Sequence, residues 1–401
     1  MARRPWDTGA FTRPNGRFMT SRQGSKAFVP GAPPTTWAAR GASLALYGRA
    51  ERAIGGLGAV MNTTSAPDFL AALYIKNEAV QSSRIEGTLA SLEDLLQYEA
   101  SRHVGAEEAR RLGIMEVANC ARAMEAAVKK IAGGGDIDMD LIKSAHRALL
   151  HGVRGQERHP GTIRKRQNAI GDERGETVHV PPPPEMVERL LEELLSFVAA
   201  GDAGMPVLVR CAIAHYQFEA IHPFGDGNGR VGRMLVPLML AKGGLLPHPL
   251  LQLGEYLSAN RAEYYARLAG VSQRSEWDAW IMLFLRAFAE QAEATTRGIL
   301  ALVGLRRRYA MGVPGAGRSV ASRIVELLFA NPYMTAGRAS ARLGVSHGGA
   351  MRGIRLLEGA GVLERVGGPR RTRVWEATEI TRIMRGVAAR GAGVAARGAG
   401  V

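Results

Sequence analysis

Twelve consecutive residues, His222-Pro-Phe-Gly-Asp-Gly-Asn-Gly-Arg-Val-Gly-Arg233, bring a base, a carboxylate, an amide and two guanidinium groups into one glycine-rich run. Gly225, Gly227 and Gly229 alternate, so the backbone N–H groups of the run can turn toward one point and form a concave anion site. The following residues, 230–242, have a strongly helical pattern, which sets the loop on a positive helix N-terminus and makes it a natural seat for a diphosphate. Arg230 and Arg233 are three apart, share a face and extend the positive charge along a phosphate chain. Asp226 within this nest would repel phosphate unless a hard cation lay between them, which assigns it to Mg²⁺. Asn228 can donate an amide N–H to a phosphate oxygen. His222 ends the preceding helix, and an ordinary imidazole pKa of about 6.5 suits it to take a proton from an incoming hydroxyl.

An isolated His-Asp pair reads more simply as a cap and a turn. Joined to three glycines, an amide and two arginines, this pair reads as an active-site loop that handles nucleotide phosphates. Gly227-x-Gly229-x-x-Gly232 also fits the dinucleotide fingerprint, but that fingerprint must follow a strand, and 207–220 reads as an amphipathic helix. No Gly-x-x-x-x-Gly-Lys-[Ser/Thr] run occurs, which argues against a P-loop.

The elements that must position this loop are mostly helical. The pattern is helical from about 66 to 100, broken near Gly87 and restarted by the capping-type Ser91-Leu-Glu-Asp94. Further helices are expected over 107–131, 138–150, 206–221, 230–242, 258–269 and 276–299, with one running from the Pro181–Pro184 run through Val198. Residues 161–182 differ. Thr162-Ile163-Arg164 and Val178-His179-Val180 flank Gly171-Asp-Glu-Arg-Gly175 and predict a short β-hairpin. Residues 1–45 read as an irregular arm, extended from Phe28 to Pro34. A Pro/Gly-rich linker at 312–317 precedes three short helices (319–329, 335–343, 348–360) and a small hairpin (363–366 with 373–376). The chain closes on Gly-Val-Ala-Ala-Arg-Gly-Ala, repeated at 386–392 and 393–399, a low-complexity tail expected to be disordered.

A length of 401 residues ordinarily divides into two or three domains. With 46% hydrophobic and 22% charged residues the balance is that of a soluble globular protein, against disorder and against membrane insertion. Arg3 and Arg4 have no apolar stretch behind them, so no secretory signal is read there. The only two cysteines, Cys120 and Cys211, lack metal-type spacing and fit a reduced, cytoplasmic setting as core residues. The net charge of +15 favours polyanionic partners or anionic substrates, although arginine-rich usage also reflects a GC-rich genome.

Residues 222–233 resemble the signature of the Fic family, His-Pro-Phe-x-[Asp/Glu]-Gly-Asn-Gly-Arg-x-x-Arg, at every defined position. The resemblance extends over roughly 28–300 and implies a mainly all-α chain: a Fic helical fold with a short β-hairpin flap. It implies transfer of AMP from ATP to a Ser, Thr or Tyr hydroxyl of a target protein or of the chain itself. Some family members move other phosphate-containing groups, and some remove AMP. Carried over by position, His222 is the base, Phe224 anchors the loop, and Asp226 binds the metal. Gly227, Asn228 and Gly229 hold the α- and β-phosphates, with Arg230 and Arg233 at the β/γ end. The hairpin 166–180 becomes a flap that aligns a target segment by strand-like pairing. Tyr264 and Tyr265 resemble an aromatic pair near the nucleotide base; ordinary helix packing explains them as well.

Ser82-Ser-Arg-Ile-Glu86-Gly87 ends a predicted helix, with Ser82 and Glu86 on one face. An anion is disfavoured at a helix C-terminus, so Glu86 either finds a cation or stays exposed. The run resembles the family's inhibitory [Ser/Thr]-x-x-x-Glu-[Gly/Asn] motif, which implies that Glu86 pairs with Arg233 and holds ATP unproductively. Near the other end, Gly344 gives a turn its permissive backbone, Ser346 precedes a helix bearing Arg352 and Arg355, and Arg370, Arg371 and Arg373 lie on the hairpin. This resembles the small winged helix-turn-helix domain found after some Fic domains. Such a module binds DNA, or serves for docking or dimerisation. The expected division is a 1–65 arm, a 66–101 inhibitory segment, a 102–305 catalytic domain with its core at about 138–245, a 306–317 linker, a 318–378 winged-helix-like domain and a 379–401 tail. The competing class is a DNA-binding regulator whose Fic region senses nucleotide without turnover. A homodimer through either domain is compatible with both.

Overall fold

The computed structural model describes residues 9–22, 24–64, 67–101, 109, 113–171, 175–201, 204–313, 319–367 and 373–395. Among them the protein is mainly helical, with small antiparallel sheets, as the sequence predicts. The chain divides into two compact units. The first comprises Met1–Gly55, Asn119–Pro249 and Asn260–Glu290; the second comprises Gly56–Ala118, Leu250–Ala259 and Gln291–Val401.

In the first unit the N-terminal segment is more ordered than the predicted arm. β1 (Gly16–Thr20) and β2 (Lys26–Pro30) form a hairpin, and α1 (Ala42–Asn62) begins soon afterwards. Three rings, Phe11, Phe18 and Phe28, gather on one another at centroid distances of 4.8–5.7 Å, so this Pro/Gly-rich stretch has a core of its own. α4 (Ile114–Ala132) leads to α5 (Met139–Leu149), whose N-cap Asp138 accepts the Leu141 N–H at 2.7 Å. A short hairpin follows, β3 (Ile170–Gly171) and β4 (Thr177–His179). Its strands are shorter than expected, and Thr162-Ile163-Arg164 is not strand; the Arg164 N–H instead donates to Pro223 O at 3.0 Å. α6 (Pro184–Ala199) leads to α7 (Val207–Ile221) and α8 (Asn228–Lys242). α7 is not amphipathic: residues 208–221 are all buried, so it is the unit's central rod, and its apolar pattern has no outer face to reveal a period.

In the second unit, α2 (Pro67–Ile85) packs on α9 (Leu253–Ala259) through polar contacts. The Gly254 N–H lies 2.9 and 3.0 Å from the two Glu78 carboxylate oxygens, and Asn77 Nδ2 donates to Gln252 Oε1 at 2.7 Å. A Cβ at position 254 would stand 2.7 Å from the Ser82 nitrogen, so the helices come this close only with glycine there. α3 (Leu92–Ser101) starts at the expected capping box: the Asp94 N–H donates to Ser91 Oγ and the Ser91 N–H to Asp94 Oδ2.

The predicted 258–269 helix is divided at Asn260: its first two residues end α9 and the rest lie in α10 (Arg261–Arg274). α11 (Trp277–Gly312) runs through most of the predicted 306–317 linker. The C-terminal elements are α12 (Val320–Leu328), β5 (Tyr333–Met334), α13 (Ala336–Leu343), α14 (His347–Gly359), β6 (Glu364–Gly367) and β7 (Val374–Glu376), with strand order β5-β7-β6. Within the unit they are fastened to α3: Asn331 Nδ2 donates to Leu96 O at 3.0 Å, and Arg385 Nε to Glu93 Oε1 at 2.6 Å. The expected disordered tail is helical as far as described, in α15 (Thr378–Ala395); the end of its second repeat, 396–399, lies outside the described residues, as do Arg370 and Arg371.

Candidate active site

α7 stops at His222 because Pro223 follows, and a residue before proline is disfavoured in the helical basin. His222 takes φ 51°, ψ 63°, a left-handed conformation that few side-chain-bearing residues adopt, while its N–H still closes the last helical bond to Phe218 O at 3.0 Å. The chain then turns back into α8 through the glycine run. Gly227, the N-cap of α8, has φ 74°, and a Cβ there would lie 3.1 Å from Leu149 Cδ2. The loop therefore opens onto a helix N-terminus, as the helical pattern of 230–242 predicts.

Two side chains hold this loop from inside. Phe224 is fully buried and stacks on the His146 ring of α5 at 3.8 Å and 8°. Asn228 accepts the Phe224 N–H at Oδ1 (2.8 Å) and donates from Nδ2 to Phe224 O (3.0 Å), with 2% of its surface exposed. These two bonds use Oδ1 and one of the two Nδ2 N–H groups of the amide. The pair of bonds closes the loop into a ring between Phe224 and Asn228.

Asp226 stands at the mouth, its side chain 40% exposed, accepting the Gly227 N–H at 2.5 Å and lying 3.8 Å from Arg230 Nη2. Arg230 and Arg233 are each only 2% exposed. Two buried guanidinium groups in the first turns of one helix are costly to desolvate and mark a place prepared for negative charge. α8 lies close on α7 because position 232 is glycine: a Cβ would sit 2.8 Å from Glu219 Oε1 and 3.0 Å from the Phe218 ring.

Several contributors escaped the sequence reading. His146 accepts the Gly161 N–H at Nδ1 (2.8 Å), so its proton is on Nε2, which donates to Asp226 O at 2.9 Å. Burial holds its pKa down to about 4, so it is neutral at physiological pH and acts as a fixed bracket. Arg164, 6% exposed, donates to four carbonyls around His222 and the hairpin. Asn168 Nδ2 donates to Phe224 O at 2.9 Å. Nothing in local spacing marks these three, since each reaches the loop from a distant stretch of chain.

The tyrosine pair is divided by the fold. Tyr264 is 1% exposed and packs in the core, its hydroxyl 3.0 Å from His215 Nε2 and its ring against Trp280. Tyr265 remains 43% exposed, with the Arg261 guanidinium 5.6 Å from its ring centre. In the second unit, Glu86 is exposed just past the end of α2, Ser82 is buried, and Gly87 turns the chain at φ 88°. On the described part of the hairpin, Val178 is 48% exposed.

Residues 136–240 match the model of the Fic/DOC family, and residues 44–129 match that of the Fic/DOC family N-terminal region. A probable protein adenylyltransferase of Aquifex aeolicus (strain VF5) is 40% identical over 81 residues, 20% of this chain and 25% of that protein. Protein adenylyltransferase fic-1 of Caenorhabditis briggsae is 34% identical over 134 residues, 33% of this chain and 24% of that protein. The chain thus spans about a quarter of the length of these curated relatives. Among solved structures, a Fic family protein from Desulfovibrio desulfuricans G20 superposes with a TM-score of 0.54 at 21% identity, covering 86% of this chain and 98% of that one. A Fic domain containing signaling protein from Bacteroides thetaiotaomicron VPI-5482 gives 0.50 at 16% identity, covering 64% and 97%. By sequence at residues 44–129 and 136–240, and by fold over most of its length, the chain is similar to proteins of the Fic/DOC family.

Proposed function

We propose that the protein is a nucleotidyltransferase that moves AMP from ATP to a Ser, Thr or Tyr hydroxyl of a target protein, or of itself, and releases pyrophosphate. One observation carries this reading: a histidine held in a left-handed turn immediately precedes an anion nest whose helix buries two arginines in its first turns. Curated relatives named as protein adenylyltransferases support it. In the reaction, His222 accepts the proton of the incoming hydroxyl as its oxygen attacks the α-phosphorus. The new P–O bond forms as the bond to the β-phosphate oxygen breaks, and pyrophosphate leaves. Backbone N–H groups at 227–229 orient the α- and β-phosphates, and Arg230 and Arg233 receive the charge that develops on the leaving group.

Asp226 is the residue that would hold Mg²⁺. Among the described residues no group of three His, Cys, Asp or Glu side chains could by itself hold a metal, so the ion would complete its shell with phosphate oxygens and water, a set that suits Mg²⁺. Bound there it would offset phosphate charge. The β3–β4 hairpin, on which Val178 is exposed, is the flap that would align a target segment by strand-like pairing. Tyr265 is the member of the tyrosine pair left to face a nucleotide base.

Ser82 and Glu86 form the inhibitory element, with Glu86 competing for Arg233 against the γ-phosphate. With labelled ATP and Mg²⁺, Glu86→Gly is expected to raise self-labelling. His222→Ala is expected to lower it by roughly 10²–10⁴-fold while ATP still binds. Unchanged labelling in the first variant removes the inhibitory role, and retained labelling in the second removes the mechanism. AMP removal by the same site would show as loss of label from pre-modified protein on adding the unmodified enzyme.

A second reading has its own observation. In the C-terminal elements Ser346 caps α14 by accepting the Gly349 N–H at 3.1 Å, and Arg352 and Arg355 are exposed along that helix beside the β5-β7-β6 sheet. That arrangement supports a winged helix able to bind duplex DNA. A DNA-binding regulator would bind nucleotide without transferring label in the Glu86→Gly protein. The two buried thiols, Cys120 and Cys211, fit a reducing, cytoplasmic setting, and no helix among the described residues is long and apolar enough to cross a membrane.

A further inference from the structure

Arg164 is a buried cation whose hydrogen bonds all go to main-chain carbonyls. Nε donates to His222 O at 2.8 Å, Nη1 to Arg166 O at 3.2 Å, and Nη2 to Pro182 O at 2.6 Å and Ile221 O at 3.4 Å. Four of the five guanidinium N–H groups are thereby used. Its own backbone N–H donates to Pro223 O at 3.0 Å. Three successive carbonyls, 221 to 223, thus rest on one residue at the negative end of the α7 dipole, where a cation is favoured. The other two acceptors, Arg166 and Pro182, bracket the β3–β4 hairpin.

We infer that Arg164 is a positioning residue, which fixes the left-handed His222 turn and both legs of the hairpin in one register. This rests on the reading of His222 as the base and of the hairpin as the target-aligning flap. The turn at His222 needs such support, since an ordinary side-chain-bearing residue in this basin relaxes unless its surroundings over-determine it. The planar fork is also what the geometry requires. Its donors diverge toward carbonyls on three segments of chain, whereas a lysine ammonium is a point charge that cannot span them. Arg164 also lines a cavity of 610 Å³ with Arg22, Lys143 and Lys165, but a residue with four N–H groups already committed is poorly placed to hold an anion there.

The test uses full-length protein carrying Glu86→Gly, with Arg164→Lys and Arg164→Met compared. Arg164→Lys keeps charge and most of the volume should Arg164→Met fail to fold. Self-labelling at saturating ATP is expected to fall about 10²-fold, the scale of a small misplacement of a reacting group, with the ATP dissociation constant unchanged. Independently of activity, the ring ¹⁵N resonances of His222, assigned through His222→Ala in histidine-labelled protein, are expected to move while those of other histidines stay. A loss that comes only from weaker ATP binding, or an unmoved His222 resonance in the folded lysine variant, overturns the inference. Should the Glu86→Gly protein itself transfer no AMP, the transferase reading fails, and the His222 resonance still decides whether Arg164 positions that ring.

Discussion

Asn228 shows how the fold gives a task of its own to a residue recognised from sequence. In the fold its Oδ1 and one of its two Nδ2 N–H groups bond to Phe224, at 2.8 and 3.0 Å, with 2% of the residue exposed. A side chain that closes a backbone ring contributes to stability as well as to shape. Asn228→Ala leaves the Phe224 N–H without this partner in a buried place, and is expected to cost about 1–3 kcal/mol of stability, read from the urea midpoint, together with weaker ATP binding. A variant that lost ATP affinity at unchanged stability would return Asn228 to the role of direct donor. The motif's identity was legible at residue scale because its glycines and charges are adjacent in sequence. The roles of Asn228, His146 and Arg164 were not, because hydrogen-bond direction depends on which main-chain groups the fold brings near.

The two helices that carry the loop are set by their contact face. Gly232 lets α8 approach α7 so closely that an added Cβ would stand 2.8 Å from Glu219 Oε1 and 3.0 Å from the Phe218 ring. Gly232→Ala is helix-compatible by propensity, so local preference alone predicts a small gain. The packing predicts the opposite: a loss of roughly 1–3 kcal/mol, as for overpacked cores, and reduced labelling as the Arg230–Arg233 turn is pushed outward. Thermal unfolding of that variant distinguishes the two. Helix starts were readable where a side chain caps the backbone, as at Asp138, Ser91, Ser319 and Thr335. The burial of α7 on every side was not readable, since its polar residues Arg210, His215, Gln217 and Glu219 are buried too and no outer face registers a period.

At the scale of the whole molecule, three histidines, His146, His179 and His215, make the first unit acid-sensitive. Burial holds His146 and His179 at about 4 and His215 at about 3, while in the unfolded chain all three protonate near about 6.5. Below about pH 6.5 the unfolded state therefore binds more protons, so the stability present at neutral pH is lost as pH falls toward 4, by up to about 1.4 kcal/mol per pH unit for each imidazole. Glu255 in the second unit acts in the opposite sense: burial pushes its pKa up to about 7, so it favours the fold as pH falls toward the ordinary carboxylate range. The decisive comparison is wild type against His215→Asn in urea at pH 7 and pH 5. The variant is expected to show the smaller acid loss, and equal losses would contradict a buried neutral His215. For the C-terminal elements, affinity for a duplex should fall with salt, and Arg352→Ala should lower the log–log slope by about 0.9 if Arg352 contacts a phosphate. A salt-independent shift would favour protein docking.

Sequence alone determined the helical class, the capped starts of many helices, and the loop that joins a base, a carboxylate and two arginines over twelve residues. These are local properties, fixed by side-chain chemistry and backbone preference within a turn or two. Tertiary structure alone decided that residues 16–30 form a hairpin with its own aromatic core, that α11 continues to Gly312, and that the C-terminal elements are fastened to α3. It also decided that His146 and Arg164 hold the loop from either side. Each of those outcomes depends on burial between segments far apart in the chain, and burial has no signature in spacing until the partner is known.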